Sequence, residues 1–180
     1  MYTLNRYEAI GIGGSVLIAV AVLAVVHINR SGWELPVTDP NLEADIVTVD
    51  TTIADSETAL ARAIAEGSNS KGVVTKLIVQ DMQVGTGRTV RVGDTVTLNY
   101  IGVIKNGAQF NSTYSTGIPY SFKVGASEVI EGWDKGIVGM QEGGKRILVI
   151  PSAMAYGNSS VGPIPPNATL IFALELLSIE

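Results

Sequence analysis

The sequence has no cysteine and a single histidine, His27, among its 180 residues. The absence of cysteine excludes a disulfide framework, a thiolate metal site, a cysteine nucleophile and lipid attachment through cysteine. One histidine is too few for a zinc cluster of histidines, and its place beside a long apolar run excludes a Ser-His-Asp triad in the main domain. Much ordinary enzyme chemistry is therefore excluded, and we expect neither a metal nor a cofactor.

Positive charge is also scarce, with 12 lysines and arginines against 17 acidic residues and a net charge of −5. Residues 31–72 hold eight acids and two bases, whereas residues 73–180 hold eight of each sign. A nucleic-acid-binding surface needs an excess of lysine and arginine on one face. The sequence therefore predicts that nucleic acid is not a partner.

One long apolar run lies near the N-terminus. Residues 9–26 carry no charged side chain, and the apolar stretch extends to Ile28, which gives about 30 Å of helix, enough to span a bilayer. Tyr7 and Trp33 flank it, as interfacial aromatics often do. We predict a single transmembrane anchor over residues 9–28, with a cleaved signal peptide as the alternative. The short tail before it favours a cytoplasmic N-terminus and an extracytoplasmic domain.

Composition divides the chain into three parts. Residues 1–30 are interpreted as a cytoplasmic tail and anchor, residues 31–72 as an acidic linker, and residues 73–180 as a compact domain. Within the linker, a helix is predicted over residues 57–66, capped by the preceding polar residues and stopped by Gly67. Its short, alanine-rich sequence is typical of a spacer rather than a binding surface.

The compact domain is patterned as short strands with one helix. Strands are predicted at Val73 to Val84, Thr95 to Ile104, Gln109 to Tyr114, Tyr120 to Val124, Lys145 to Ile150 and Thr169 to Leu177. The Asn106-Gly107 pair predicts a hairpin between the second and third of them. Strands joined by short turns, with a single helix, indicate an antiparallel α+β domain.

The helix is predicted over Ser127 to Met140, and its apolar residues recur at helical spacing. They are Val129, Ile130, Trp133, Ile137 and Val138. Gly132 and Gly136 lie one turn apart and would let a sheet approach closely, while Gly139 is a plausible stop. By residue type alone, Trp133 is more often a core aromatic than a site residue.

Four separated motifs agree in order and spacing with one family. They are T-L-N-Y-I-G at 97–102, V-I-E-G-W-D-K-G at 129–136, A-Y-G at 155–157 and I-P-P-N-A-T-L at 164–170. In these motifs the chain resembles the FKBP-type peptidyl-prolyl isomerases over roughly residues 73–180. The resemblance implies an α+β fold, an antiparallel β-sheet of about five strands curled around one short α-helix, here preceded by the transmembrane helix.

The resemblance also implies a site. Its catalytic residues would be Tyr156, Trp133, Ile130 and Asn111, and its substrate-binding residues Tyr100, Phe110, Tyr120, Val129, Ile164 and Phe172. Proline would sit on Trp133 as the floor of an apolar cleft, the backbone N–H of Ile130 would hold a substrate carbonyl, and Ile164 would close the rim. Tyr156 would orient a carbonyl through its hydroxyl, since a phenol is a poor base at neutral pH.

The sequence departs from the family pattern beside this cleft. Asn111 stands where an aspartate is usual, so a charged acceptor is replaced by a neutral amide that can also donate. The loop between Tyr156 and Ile164 is one residue shorter than in familiar members, and Met154 replaces a common tyrosine. These changes predict altered activity or ligand preference.

The implied function is peptidyl-prolyl cis-trans isomerisation of unfolded or exported polypeptides, with rapamycin-type macrolides as inhibitors. One alternative is a membrane-tethered chaperone or binding module that keeps the cleft but has little catalytic activity. Another is a fusion in which the acidic linker and the helix at residues 57–66 recruit a partner.

Overall fold

The computed structural model describes residues 46–49, 56–105 and 107–180, and the predicted tail and anchor at residues 1–30 lie outside them. The strands are β1 (Ile46–Val49), β2 (Leu77–Gln83), β3 (Thr95–Ile104), β4 (Gln109–Ser112), β5 (Tyr120–Lys123), β6 (Lys145–Ile150) and β7 (Leu170–Ile179). The helices are α1 (Ser56–Glu66), α2 (Thr113–Thr116) and α3 (Glu131–Gly136), with a 3-10 turn at Ser152–Met154. Within the described ranges, every helix is too short or too polar to cross a membrane.

The strands form one mixed sheet in the order β1-β2-β6-β7-β3-β4, with β5 also paired to β3. All pairs are antiparallel except β1 and β2, which run parallel from Ile46 opposite Leu77 to Val49 opposite Gln80. The described part of the sheet therefore has seven strands and one parallel pair, where the sequence predicts about five antiparallel strands. The difference includes β1, whose four residues are too few to stand out within an acidic segment.

Strand β3 organises the half of the sheet that carries the aromatic residues. Along one edge, its first half pairs with β5 and its second half with β4, while β7 runs along the other edge. The predicted Asn-Gly hairpin joins β3 to β4: Gly107 has a φ of 90° and its N–H donates to Ile104 O at 2.7 Å. A left-handed residue at this point is what glycine supplies most easily.

Both faces of the central strands are buried. Along β6, Leu148 and Ile150 belong to the core on one face, whereas Ile147 and Val149 belong to a second cluster on the other. This alternation follows from the two-residue period of a strand. We call the first face, which α3 covers, the inner face, and the second the outer face.

Helix α1 covers the outer face. Its Leu60 and Ala63 are 1% and 4% exposed and cluster with Ile78, Ile147 and Ile171. The helix predicted over residues 57–66 is therefore confirmed, but the structure packs it on the sheet instead of leaving it as a free spacer. Its apolar stripe is narrow, so the sequence alone did not indicate a packing partner.

Helix α3 is shorter than the predicted Ser127–Met140. Ser127 has a φ of 58° and Ile130 an extended conformation, so the chain enters the helix only at Glu131, and Ile137 caps its end. The close approach predicted for the two glycines is present. A Cβ on Gly136 would lie 2.7 Å from Leu148 Cδ2, and one on Gly132 would collide with Ile150 Cγ2. The glycines thus set the distance between α3 and the inner face.

Candidate functional site

A cavity of about 450 Å³ opens between α3, the sheet and the surrounding loops. The residues that line it are mostly aromatic or aliphatic: Tyr100, Phe110, Asn111, Tyr120, Glu128, Val129, Ile130, Trp133, Tyr156 and Phe172. They come from β3, β4, β5, β7, the start of α3 and the loop after β6. A concave apolar site with few polar groups is the usual form of a small-ligand or peptide-binding pocket.

Trp133 is the centre of the aromatic group. It is 4% exposed, and its ring meets those of Tyr100 and Phe172 edge-on, each with centroids 5.1 Å apart and planes at 82°. Tyr120 and Phe122 contact it at 6.1 and 5.6 Å. Edge-to-face pairs of this kind are favourable beyond the area they bury. The packing therefore fixes the indole ring in one orientation in the cavity wall.

Tyr100 brings a hydroxyl group into this apolar surface. Burial is the main cause that raises its pKa, followed by the neighbouring phenols of Tyr120 and Tyr156. A hydrogen bond with the Asn111 side chain acts in the opposite direction and lowers the pKa. Tyr100 is thus a neutral phenol at physiological pH, and its hydroxyl has a polar neighbour within the cavity.

The segment that carries Asn111 is tied to β3. Asn111 Oδ1 accepts a hydrogen bond from the Ser112 backbone N–H at 2.8 Å, and Ser112 Oγ accepts one from Tyr114 N at 3.2 Å. Thr113 Oγ1 accepts the backbone N–H of Tyr100 at 2.9 Å and donates to Asn99 Oδ1 at 3.0 Å. These bonds fix Asn111 beside Tyr100.

Helix α3 has six residues, and charged side chains at both ends hold it in place. Asp134 accepts hydrogen bonds from the backbone N–H groups of Gly125 and Ser127 at 2.8 and 3.0 Å, which anchors the loop leading into the helix. At the other end, Arg146 is 6% exposed and donates to the carbonyls of Gly136 and Val138.

The same guanidinium forms a two-bond ion pair with Asp81 on β2, at 2.7 and 2.9 Å. A buried arginine needs such partners because removing its charge from water is costly. Since the bonds join β2, β6 and the end of α3, they hold Trp133 over the sheet.

The loop after β6 supplies Tyr156 and is closed by its own backbone. Asn167 N donates to Gly157 O at 2.8 Å, and Val161 and Ile164 exchange two hydrogen bonds of 3.0 Å. Tyr156 lines the cavity with 38% of its surface exposed, so its hydroxyl is accessible to a ligand. Ile164 is 4% exposed and packs in the inner core.

Every residue that the resemblance placed in the site lines the cavity, apart from Ile164. The structure places that side chain in the core, so a role in closing the rim stays a prediction. Glu128 also lines the cavity, although the sequence did not predict it there. Its carboxylate accepts the Lys123 backbone N–H at 3.0 Å. The only available signal was its position next to Val129, which is too weak to distinguish it from other exposed acids.

A sequence model of the family described as FKBP-type peptidyl-prolyl cis-trans isomerase matches residues 86–177, just over half of the chain. The chain belongs to this family. The matched range contains β3 to β6, most of β7 and all the cavity-lining residues. The family identified from four motifs is thus confirmed.

Relatives of this FKBP-type chain occur in bacteria and fungi. An FK506-binding protein of Neisseria meningitidis is 46% identical over 104 residues, which cover 57% of this chain and 95% of that protein. FK506-binding protein 4 of Neurospora crassa is 49% identical over 108 residues, but these cover only 23% of it. The chain therefore spans less than a quarter of the length of this fungal relative and almost all of the bacterial one.

Two solved structures share the fold. The crystal structure of AtFKBP13 matches with a TM-score of 0.55 and 35% identity, covering 63% of this chain and 98% of that one. The crystal structure of FkpA from Escherichia coli matches with a TM-score of 0.57 and 38% identity, covering 71% and 61%. The FKBP-like fold is therefore shown for this chain.

Proposed function

We propose that this chain accelerates cis-trans isomerisation of Xaa-Pro bonds in unfolded or exported polypeptides, with the aromatic cavity as its active site. The observation that supports this most strongly is Trp133, which Tyr100, Tyr120 and Phe172 surround in a pocket of about 450 Å³. A proline ring is a compact apolar group, and the aromatic faces and edges of the pocket can bury it.

The reaction needs no nucleophile or metal. Rotation about an Xaa-Pro bond has a barrier of about 18–20 kcal/mol because amide resonance is lost in the twisted state. In that state the carbonyl oxygen carries less negative charge than in the planar amide. Moving the twisted amide into a site with little water therefore costs less free energy than moving the planar amide there. A cavity that holds the twisted amide more tightly than either planar form lowers the barrier.

The roles proposed for the residues are supported by their positions around the cavity. Trp133 would support the proline ring, while Val129 and Phe110 would contact the flanking side chains. Ile130, whose extended backbone leads into α3, would offer its N–H to a substrate carbonyl, and Tyr156 would donate its accessible hydroxyl to another. Two hydrogen bonds on either side of the rotating amide would hold the peptide while one part turns.

Three finer features belong to the same proposal. Residues 9–28 would anchor the chain in a membrane by a single helix, with the isomerase domain on the extracytoplasmic side. The apolar length of that run supports the anchor. The relatives are named FK506-binding proteins, so we propose that macrolides of the FK506 and rapamycin type occupy the same cavity and inhibit the enzyme.

The test is the cis-to-trans rate of a short Xaa-Pro peptide with the full chain. We expect acceleration over buffer that a rapamycin-type macrolide abolishes. Tyr156→Phe should lower kcat/KM by about fivefold to tenfold, because it removes one hydrogen bond to the substrate. Tyr114→Phe removes a hydroxyl of the same kind from a residue outside the cavity and should leave the rate unchanged.

Absence of acceleration by a folded chain would reject the enzyme. Binding of the peptide without acceleration would then favour the second candidate, a tethered chaperone or binding module. Asn111 is the observation that favours that candidate, since a neutral amide stands where the family usually has a carboxylate. Equal losses in the Tyr156 and Tyr114 variants would place the site elsewhere.

A further inference from the structure

One charge lies on the wall of an otherwise neutral cavity. Among the described residues that line it, Glu128 alone has a charged side chain, and the others are aromatic, aliphatic or amide. Glu128 is exposed, whereas its neighbours Val129 and Ile130 are half-buried. An exposed carboxylate keeps its water and is ionised at neutral pH. The negative charge therefore lies at the mouth of the cavity and not among the buried rings around Trp133.

The loop that carries this carboxylate holds it in a fixed place. Glu128 Oε2 accepts the backbone N–H of Lys123 at 3.0 Å, which ties the side chain to the end of β5. Asp134 accepts the backbone N–H groups of Gly125 and Ser127, so the same loop is also bound to α3. A charged group that is already positioned loses less conformational entropy when a ligand binds. The cavity thus presents a preorganised anion.

In the part of the chain that the structure describes, no lysine or arginine neutralises this charge. The ion pairs there involve other acids, and neither oxygen of Glu128 takes part in one. Lys123 is the nearest base in sequence, but Phe122 before it is buried in the inner core. Side chains alternate along a strand, so Lys123 points to the opposite face. Glu128 Oε1 is therefore available to accept a hydrogen bond from a ligand.

We propose that Glu128 is a specificity-determining residue that favours peptides with a lysine or arginine within two positions of the proline. This preference rests on the proposed function, in which Ile130 N–H holds a substrate carbonyl. Glu128 lies two residues before Ile130, so their Cα atoms are at most about 7 Å apart. An extended peptide covers this distance in two residues. A basic side chain there would donate to Glu128 Oε1, whereas an acidic one would be repelled.

Pairs of peptides that differ by one charge isolate this contact. Short Xaa-Pro peptides would carry lysine, or Nε-acetyl-lysine of similar length, at each of the two positions before and after the proline. We expect the full parent chain to show about twofold to fivefold higher kcat/KM for the lysine peptide at one or more of these positions. The gain should lie in KM, because the charge is remote from the rotating bond. It should decrease when salt is raised from about 0.05 M to about 0.5 M.

Each variant changes the charge of one side chain. Glu128→Gln keeps an oxygen for the Lys123 N–H and should bring the ratio of kcat/KM between the lysine and acetyl-lysine peptides to about one. Glu128→Lys should bring this ratio below one. Glu131→Gln removes an exposed carboxylate three residues along the chain that does not line the cavity, and it should keep the parent ratio. Because each ratio compares two peptides on the same protein, a general loss of activity in a variant cancels.

The outcomes separate this inference from the proposed function. If the parent chain isomerises the peptides but the ratio is one at every position, or is unchanged in Glu128→Gln, the inference is rejected and the isomerase stands. An equal loss of preference in Glu131→Gln and Glu128→Gln would assign the preference to the overall negative charge, which also rejects the inference. If the parent chain shows no catalysis, the isomerase is rejected. The same ratios, measured as peptide affinities by NMR titration, then decide the role of Glu128.

Discussion

Tyr114 shows how one side chain outside the cavity can set the response of the fold to alkaline pH. Its hydroxyl donates a hydrogen bond to Glu175 Oε2 at 2.7 Å. Burial is the first cause that raises its pKa, followed by this bond and the charge of Glu175. A raised pKa means that the folded state holds the proton more tightly than the unfolded state, whose phenols titrate near pH 10. The contribution to stability is therefore complete below pH 10 and is lost as pH rises above it.

We expect Tyr114→Phe to flatten the alkaline limb of the stability profile. Urea unfolding between pH 8 and pH 11 should show a steeper fall in the free energy of unfolding for the parent chain than for the variant. Tyr100 also has a raised pKa, so part of the fall should remain. If the stability profiles of the parent chain and the variant run parallel above pH 9.5, the hydrogen bond to Glu175 does not hold the proton of the Tyr114 hydroxyl in the folded state.

At the same scale, the sequence identified the aromatic residues of the cavity because Tyr100, Trp133 and Tyr156 lie in the four motifs, whose register also places the others. It could not give the hydrogen bond that orients the Asn111 amide. That depends on Ser112 N–H, a backbone group whose position follows from how β4 ends and α2 begins. Backbone donors have no signature in the sequence, so contacts of this kind are found only from the structure.

The elements were predicted unevenly, for physical reasons. Strand β3 has the predicted bounds because alternation and the Asn-Gly turn agree there, and β6 has them because Gly143, Gly144 and Pro151 flank a continuous apolar run. Helix α3 was predicted too long, since Val129 and Ile130 continue its apolar spacing while belonging to the preceding loop. Left-handed Ser127 breaks the helix, and serine at that position gives little sign of it.

Close contact between α3 and the sheet leads to a test at this scale. Gly132→Ala would add a methyl group against Ile150, which is fully buried and cannot move aside. We expect a loss of about 1–3 kcal/mol in the free energy of unfolding, despite the better helix propensity of alanine. Lys135→Ala, at a partly exposed position of the same helix, should change it by less than about 0.5 kcal/mol. A stabilising Gly132→Ala would mean that the helix lies farther from the sheet.

The packed domain includes residues that lie before its predicted boundary at residue 73. Strand β1 adds to the sheet and α1 covers its outer face, so residues 46–49 and 56–66 share the packing of the domain. The sequence did contain a signal for this: β6 reads Arg-Ile-Leu-Val-Ile, apolar on both faces. A sheet with one face in water would show alternation there, so a continuous apolar run indicates that both faces are covered.

Leu60 tests whether α1 belongs to the folded unit. Because its side chain is 1% exposed against the outer face, Leu60→Ala should lower the free energy of unfolding by about 2–5 kcal/mol. Arg62→Ala, two residues away on the exposed side, removes only a solvent-exposed ion pair with Glu66 and should cost less than about 0.5 kcal/mol. If both variants lower the free energy of unfolding by the same small amount in chemical denaturation, α1 is a spacer and not part of the folded unit.

Strand β7 has the highest residue numbers of the described strands, yet it lies in the middle of the sheet, between β6 and β3. During synthesis, the strand that joins the two halves of the sheet therefore leaves the ribosome after all the other described strands, so the sheet cannot be assembled strand by strand. Until residue 179 has emerged, β1, β2 and β6 remain separated from β3, β4 and β5, with two open strand edges and no Phe172 in the cavity. The cavity consequently cannot assist the folding of the nascent chain that contains it.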